Sequence, residues 1–264
     1  MLGYAVLVTD QPLPQSRTDW ATVAVGATFM IAGYHALLFI GEGFEGVTSA
    51  AAAVVVSLSP VLTTAFARLF LPGERLTVVG LAGMVLGLVG VVVVDPPSPA
   101  NLYGNAGLLF VFGAALAFAL GSVLTRRLDA NLPIETMEGW SMVLGALLIH
   151  ILSAGLGESP TQLFAAIEAA PLPAGGSLVY LSVVASALGF LIYFDLLEQL
   201  GPVEITLVSY VAPVFAAAVG FALLSELLDI YTIVGFFIIT GGFALIKREA
   251  IHEEWQLMLR LRRG

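Results

Sequence analysis

Long apolar segments alternate with short polar connections along the whole chain. A transmembrane helix needs roughly 20 apolar residues, because about 30 Å of hydrocarbon is crossed at about 1.5 Å per residue. The pattern therefore predicts an all-α polytopic membrane bundle with eight spans. In chain order, spans A to H are placed at residues 20–41, 47–71, 76–94, 104–127, 137–156, 177–198, 203–225 and 229–247.

Proline and glycine mark the ends of several spans. The run Asp95-Pro96-Pro97-Ser98-Pro99 stops span C, and Leu132-Pro133 precedes span E. Before span F, residues 171–176 read Pro-Leu-Pro-Ala-Gly-Gly, residues that end helices or cannot continue them. The short stretch Gln162–Ala170 is weakly amphipathic, and we expect it to lie at the membrane surface.

The lysine and arginine residues indicate the orientation of the spans. All ten lie at the same ends of the spans, namely before span A, at the B–C turn, at the D–E turn, and at or after the end of span H: Arg17, Arg68, Arg75, Arg126, Arg127, Lys247, Arg248, Arg260, Arg262 and Arg263. Cytoplasmic loops carry the excess of lysine and arginine. We therefore expect a multi-pass protein of the plasma membrane with both termini in the cytoplasm.

Composition supports a membrane protein and excludes several other classes. The 264 residues are 59% hydrophobic and 11% charged, against about 25% charged in soluble domains. The chain contains no cysteine, which excludes disulfides and thiolate metal sites. No Walker A, G-x-S-x-G or H-E-x-x-H pattern occurs. We predict no enzyme activity, no cofactor, no metal and no nucleic-acid partner.

Two parts of the chain repeat each other. Glu74, Gly83 and Gly90 in the first half correspond to Glu226, Gly235 and Gly242 in the second, each 152 residues later (226 − 74, 235 − 83 and 242 − 90). Pro60 and Pro213 correspond with an offset of 153 (213 − 60). The two copies enter the membrane in opposite directions when the spans are numbered as above. Such inverted repeats are typical of secondary transporters, in which the substrate binds near the midplane.

The repeated segments resemble a known family. The stretches SLSPVLTTAFARLFLPGERLTVVGLAGMVLGLVGVVVV and SYVAPVFAAAVGFALLSELLDIYTIVGFFIITGGFALI are similar to the two halves of an EamA-type carrier of the drug/metabolite transporter superfamily. The resemblance covers nearly the whole chain. It implies two inverted five-helix repeats, ten spans in all, and movement of small metabolites or drugs, often outward.

The chain departs from that pattern in its first half. Residues 1–95 form a first repeat with three spans, whereas residues 104–247 form a second with five. The comparison predicts that two N-terminal spans are missing, with Met1–Thr9 as a remnant of the second. Residues 248–264 are predicted to form a basic amphipathic tail on the cytoplasmic membrane surface, or alternatively a disordered tail.

Several residues inside the spans could line a substrate path. Proline within a span frees a carbonyl four residues earlier, at Val56 or Ser209, which needs a partner or a water-lined cavity. His35 could bind a coupling proton, or it could be a neutral histidine bonded to a neighbouring helix. Trp140 could stack on a solute or belong to the aromatic belt. The candidates are Tyr34, His35, Pro60, Trp140, Tyr193, Ser209, Tyr210 and Pro213.

The residues of the repeat also have structural interpretations that involve no substrate. Glu74 and Glu226 could be gate or proton sites, or loop charges that favour the start of the next helix. Gly83, Gly90 and their counterparts Gly235 and Gly242 are expected to permit close helix packing.

The leading hypothesis is a secondary carrier that exchanges or exports a small, uncharged or amphipathic solute by alternating access. A second hypothesis is a non-transporting membrane subunit or ligand sensor on the same fold. An intramembrane enzyme would need a catalytic constellation that the sequence does not contain. The predicted partners are the lipid bilayer and a small-molecule substrate, and a homodimer is compatible with the sequence.

Overall fold

The fold is taken from a computed structural model. It describes residues 2–71, 78–94, 104–128, 130–189, 192, 208–246 and 248. Within these residues the secondary structure is helical. The α-helices are α1 (Leu2–Val8), α2 (Arg17–Val25), α3 (Tyr34–Glu42), α4 (Ser49–Val56), α5 (Ser59–Phe70), α6 (Val78–Val94), α7 (Gly104–Leu128), α8 (Ile134–Gly155), α9 (Pro160–Ala169), α10 (Gly176–Val179), α11 (Val208–Val219) and α12 (Ile230–Ile246). Wider π-helical turns occur at Gly26–Gly33, Pro171–Gly175, Tyr180–Leu188 and Gly220–Leu224.

The helices confirm the prediction of an all-helical membrane bundle. In the described residues, four apolar helices are long enough to cross a bilayer: Arg17–Glu42, Ser49–Phe70, Ala106–Leu128 and Ile134–Gly155. Four shorter apolar helices lie at Val78–Val94, Pro171–Ser186, Val211–Leu224 and Ile230–Ile246. Each of the eight predicted spans overlaps one of these segments.

One predicted boundary is wrong. Residues 171–176 were expected to precede span F as a helix-ending run, but Pro171–Gly175 is itself a helical turn that leads into α10. Both prolines lie in the first turn, where a backbone N–H has no partner within the helix. Proline therefore costs little there, and the helix begins about six residues earlier than the sequence pattern suggests.

Short polar side chains fix several helix starts. Ser16 accepts a hydrogen bond from the Asp19 amide, and Asp19 accepts one from the Ser16 amide, which together form a capping box at α2. The hydroxyl of Thr48 accepts from the Ala51 amide at α4. Span A therefore starts at Arg17, three residues before its predicted start.

The chain divides into two compact units that do not follow the two sequence repeats. Unit 1 comprises Met1–Ala32 and Leu128–Val208, and unit 2 comprises Gly33–Arg127 and Ser209–Gly264. In unit 1, α1 and α2 pack on α8. The Ser141 hydroxyl of α8 donates to the carbonyl of Val23 in α2. One turn later along α8, Gly145 lies against Ile31, which follows α2 in span A. Helix α8 and the helix of span A therefore run parallel.

Unit 2 contains the larger apolar core. Its centre is formed by Val55 and Leu58 at the α4–α5 junction, Val111 of α7 and Ile239 of α12, all with no measurable exposure. Helices α3 and α7 run antiparallel, because Gly41 approaches Gly107 whereas Leu37 approaches Gly113. The core thus joins helices from both sequence repeats.

Candidate functional site

A seam of glycines joins α6 and α12 in unit 2. A Cβ atom added to Gly83 would lie 2.6 Å from the carbonyl oxygen of Gly242, and one added to Gly90 would lie 3.0 Å from that of Gly235. The first distance is shorter than real Cβ atoms show, and the second is tighter than nearly all of their contacts, so the two backbones come this close because these positions lack side chains. The expected role of the four glycines in close packing agrees with this geometry.

The seam also pairs the repeats in a reciprocal way. Gly83 faces Gly242, the counterpart of Gly90, while Gly90 faces Gly235, the counterpart of Gly83. Each of the two α6 glycines thus contacts the counterpart of the other, as in an interface around a two-fold axis. Helices α6 and α12 therefore run antiparallel.

Glu226 links one repeat to the start of a helix in the other. The Ser49 amide donates to Oε2 of Glu226 at 3.0 Å, and the Ser49 hydroxyl donates to Oε1 at 3.1 Å. The carboxylate therefore caps the N-terminus of α4, where the helix dipole favours negative charge. The suggested role at the start of the next helix belongs instead to Asp229, which accepts from the amide and hydroxyl of Thr232.

The backbone around Glu226 is shaped for this contact. Ser225 adopts a left-handed conformation with φ 58°, and the Glu226 amide donates to the carbonyl of Gly220 at 3.1 Å. A Cβ atom at Gly220 would collide with Oε2 of Glu226. A larger residue at position 220 would thus displace the end of the Glu226 side chain, which in this turn lies against α4.

The proline of span B divides the helix into α4 and α5. Pro60 is the second residue of α5 and follows the turn at Ser57–Leu58. The carbonyl of Val56, which the proline leaves without its usual donor, accepts a hydrogen bond from the Ser59 hydroxyl at 2.7 Å. The kink is therefore satisfied locally and needs no ligand. Pro213 lies buried within α11.

Tyr34 and His35 belong to a group of rings in unit 2. The ring of Tyr34 lies 4.9 Å from that of His35 and 5.5 Å from that of Phe118 in α7. The His35 ring lies 5.9 Å from that of Phe39. All three distances are within the usual range for aromatic pairs. Tyr34 and His35 are half-buried, so these candidates form part of a ring-lined surface.

In unit 1, polar contacts tie the N-terminal segment to α8. Trp140 packs edge-on against Trp20 at 5.5 Å and donates from its indole to the carbonyl of Pro12 at 3.0 Å. Thr136 donates to the carbonyl of Gln11 at 2.7 Å. Trp140, a candidate for solute stacking, therefore already uses its one donor in a structural contact.

One residue in this region was missed by the sequence analysis. Glu138 lies in the second turn of α8 and is only 8% exposed. Within the described residues no hydrogen bond or ion pair reaches its carboxylate. The sequence did contain a signal for its burial. Glu138 precedes Ser141 by three residues and Gly145 by seven, so it shares a helix face with these two small, buried residues.

Some candidates fall outside the described residues. Glu74 and Tyr193 do so, as do Arg75, Lys247 and the tail at 249–264. Ser209 and Tyr210 lie in α11, but their side chains are outside the description. Among the described residues, no three histidine, aspartate or glutamate side chains are close enough together to hold a metal ion.

Comparisons with known proteins agree with one another. The model of the EamA-like transporter family matches residues 1–94 and 105–248. An uncharacterized transporter of Archaeoglobus fulgidus is 28% identical over 221 residues, covering 84% of this chain and 75% of that protein. The uncharacterized inner membrane transporter YedA of Escherichia coli is 30% identical over 227 residues, covering 85% of this chain and 69% of that protein.

Two further matches extend the similarity. The chloroplastic WAT1-related protein At3g02690 of Arabidopsis thaliana is 24% identical, and the alignment covers 89% of this chain but 56% of that protein. One crystal structure superposes with a TM-score of 0.60 at 26% identity, covering 94% of this chain and 82% of that chain. The similarity thus extends over most of the chain in both sequence and fold.

Proposed function

Because the chain belongs to the EamA-like transporter family, we propose that it moves a small solute across the membrane by alternating access. The membrane location and the transporter class follow from the family and its relatives. The substrate and the mechanism are the proposal. The observation that carries the mechanism is the reciprocal glycine seam between α6 and α12.

The seam supports alternating access for a physical reason. When two inverted halves pack around a shared axis, each half can adopt the conformation of the other at similar free energy. Exchanging the two conformations turns a site that opens to one side into a site that opens to the other. At Gly83 the backbone of Gly242 and the side chain of Ile246 meet no side chain of α6, which is compatible with small rotations of that kind.

The directions of packed helices support the proposed topology. Helices α2 and α8 run parallel, whereas α3 and α7, and α6 and α12, run antiparallel. If all eight predicted spans alternate in direction, spans A and E are parallel. Spans A and D, and spans C and H, are then antiparallel, as these helices are. With the clustering of cations on one side, we propose that both termini are cytoplasmic.

The proposed solute is small and either uncharged or amphipathic. The described part of the bundle holds rings, hydroxyls and few charges, with Tyr34 and His35 beside Phe118 and Phe39. Outward movement is proposed from the family resemblance. The other path candidates, Pro60, Trp140, Tyr193, Ser209, Tyr210 and Pro213, remain predictions, although the contacts of Pro60 and Trp140 favour structural roles.

Flux through purified protein tests the proposal. Proteoliposomes of phosphatidylethanolamine and phosphatidylglycerol are loaded with an isotope-labelled extract of small metabolites, and release is followed by mass spectrometry. We expect one solute or one chemical class to leave faster than from protein-free liposomes, and the excess to saturate with concentration. Equal release of every solute from both preparations would contradict transport and favour a non-transporting subunit or sensor.

A further inference from the structure

Glu138 is a largely buried acid to which the described part of the chain gives no hydrogen-bond partner. It lies inside the apolar helix Ile134–Gly155, one of the four helices long enough to cross a bilayer. Its side chain is 8% exposed, and no described group donates a hydrogen bond to it. A buried carboxylate without donors or a cation is among the most unfavourable groups a membrane helix can carry.

Other carboxylates that are withdrawn from water are provided with donors. Asp19, 5% exposed, accepts hydrogen bonds from the Gln15 amide at 2.9 Å and the Ser16 amide at 3.0 Å, and from the Gln11 side chain at 3.3 Å. Glu226 accepts two from Ser49. The fold can therefore satisfy a buried acid, and it does not do so at Glu138.

The hydroxyl groups close to Glu138 along α8 are already used elsewhere. Thr136 donates to the carbonyl of Gln11, and Ser141 donates to the carbonyl of Val23 at 3.2 Å. Both hydroxyls belong to the buried part of α8 that packs on the N-terminal segment and α2. They are not free to donate to a carboxylate without giving up these bonds.

The packed elements supply no charge partner either. Helices α1 and α2 and the segment between them pack on α8, and their titratable or charged groups are Tyr4, Asp10, Arg17 and Asp19. Arg17 is exposed, and Asp19 is an acid with its own donors. On α8 itself the nearest ionisable group is Glu135, another acid. No ion pair to Glu138 is formed within the residues that the structure describes.

We propose that Glu138 binds a proton and that this carrier couples solute movement to the proton gradient through it. The inference rests on the proposed transport function. In the conformation described here the carboxyl is protonated and neutral, which removes the need for donors. When the site opens to water, the O–H bond breaks, the proton leaves to that side, and a proton from the other side restores the bond after the return step.

This assignment differs from the proton site suggested by the sequence. His35 was the candidate there, but its ring packs against Tyr34 and Phe39, and it is half-buried. Glu138 is more deeply buried and lies in a different unit of the chain. The two residues can therefore be tested separately.

Infrared spectroscopy tests proton binding without knowledge of the solute. The purified protein in phosphatidylethanolamine–phosphatidylglycerol bilayers is compared with Glu138→Gln and with the matched control Glu135→Gln, one turn earlier on the same helix. We expect a protonated carboxyl C=O band at neutral pH in the wild type and in Glu135→Gln, and its loss in Glu138→Gln. An unchanged band in Glu138→Gln would overturn the proposal. If Glu138→Gln does not fold, Glu138→Leu serves in its place.

Flux of the solute found in the proteoliposome experiment tests the coupling. We expect an imposed pH gradient to change the rate several-fold in the wild type and in Glu135→Gln, but not in Glu138→Gln. Retained pH dependence in Glu138→Gln, or its loss in His35→Gln alone, would overturn coupling through Glu138. A protein that shows the band but moves no solute would overturn the transport function while leaving the proton site in place.

Discussion

The two compact units hold their helices together by different means. In unit 2, the central contact between α6 and α12 is backbone on backbone, with Gly83 on Gly242 and Gly90 on Gly235. In unit 1, α8 is joined to the N-terminal segment by hydrogen bonds, including those of Thr136 to Gln11 and Trp140 to Pro12. The first kind of contact depends on missing side chains, and the second depends on particular polar ones.

Each unit satisfies most of its buried polar groups but leaves one charged side chain without a hydrogen-bond partner among the described residues. Unit 2 has its acid Glu226 fully engaged at the start of α4, and the carbonyl freed by Pro60 is bonded by Ser59. Unit 1 engages Asp19 but leaves Glu138 buried without a donor among the described residues. In unit 2 the corresponding group is Arg68, whose Nε and Nη1 are buried without an acceptor among the described residues.

The largest expected effect is at the glycine seam. In Gly83→Ala, the new methyl group would meet the carbonyl oxygen of Gly242, and only a backbone shift can relieve that clash. Overpacking of this kind costs about 1–3 kcal/mol, and we expect the upper end because the obstacle is backbone. Unfolding of the purified protein in denaturing detergent measures the loss.

The matched control is Gly155→Ala at the end of α8, where nothing lies within 4 Å of the added atom. Its free energy of unfolding should stay within about 0.5 kcal/mol of the wild type, as for surface substitutions. Equal stability of Gly83→Ala and Gly155→Ala would contradict the close contact between α6 and α12.

A loss of about 2 kcal/mol is expected for Asp19→Ala in unit 1. The substitution removes the capping box of α2 and leaves the Gln15 and Ser16 amides without their acceptor. Asp10→Ala is the control, since Asp10 is exposed and outside the helices. Thermal unfolding of both variants in the same detergent checks the difference. If the two melt together, the polar network does not stabilise unit 1.

Replacement of the second buried acid of unit 1 should act in the opposite direction. Glu138→Leu removes a buried polar group that lacks a donor, and we expect a gain of about 1 kcal/mol in the free energy of unfolding. The same measurement on Glu135→Leu controls for a generally more apolar helix. A loss of stability in Glu138→Leu would mean that the carboxyl is satisfied in the folded protein and would weaken its assignment as a proton site.

The smallest effect is expected at the cap of α4. Ser49→Ala deletes the hydroxyl bond to Oε1 of Glu226 but keeps the amide bond to Oε2. A loss of about 0.5–1.5 kcal/mol is typical for one hydrogen bond. Ser177→Ala, at an exposed position in α10, should leave the melting temperature unchanged. A change in Ser49→Ala no larger than in Ser177→Ala would indicate that the carboxylate does not hold α4.

The helices and the seam could be predicted because their signals are local or periodic. A run of about 20 apolar residues has few alternatives to a membrane helix. The equal spacing of Gly83 and Gly90 with Gly235 and Gly242 revealed both the repeat and its packing role. The same local reasoning failed at Pro171 and Pro173, because their position relative to the helix start decides whether proline is tolerated.

The remaining features depend on contacts between distant residues. Ser49 and Glu226 are 177 positions apart, so the sequence gives no sign that one caps the helix of the other. Glu138 lies near the start of its span beside Glu135 and resembles an interfacial charge. Its burial depends on how α1 and α2 pack on α8, which periodicity alone does not reveal. The Ser59 bond that satisfies the kink at Pro60 likewise required the geometry of the turn.

The central claim is that the two repeats cross the membrane in opposite directions, and cysteine labelling tests it most directly. The chain has no cysteine, so single cysteines can be introduced without a background. They are placed at Gln15 and Asn131 on the expected cytoplasmic side and at Glu45 and Gln162 on the outer side. A membrane-impermeant maleimide on intact cells should label Glu45→Cys and Gln162→Cys, and the other two only after permeabilisation. Labelling of all four from one side, or of Glu45→Cys and Gln162→Cys from opposite sides, would contradict the inverted arrangement.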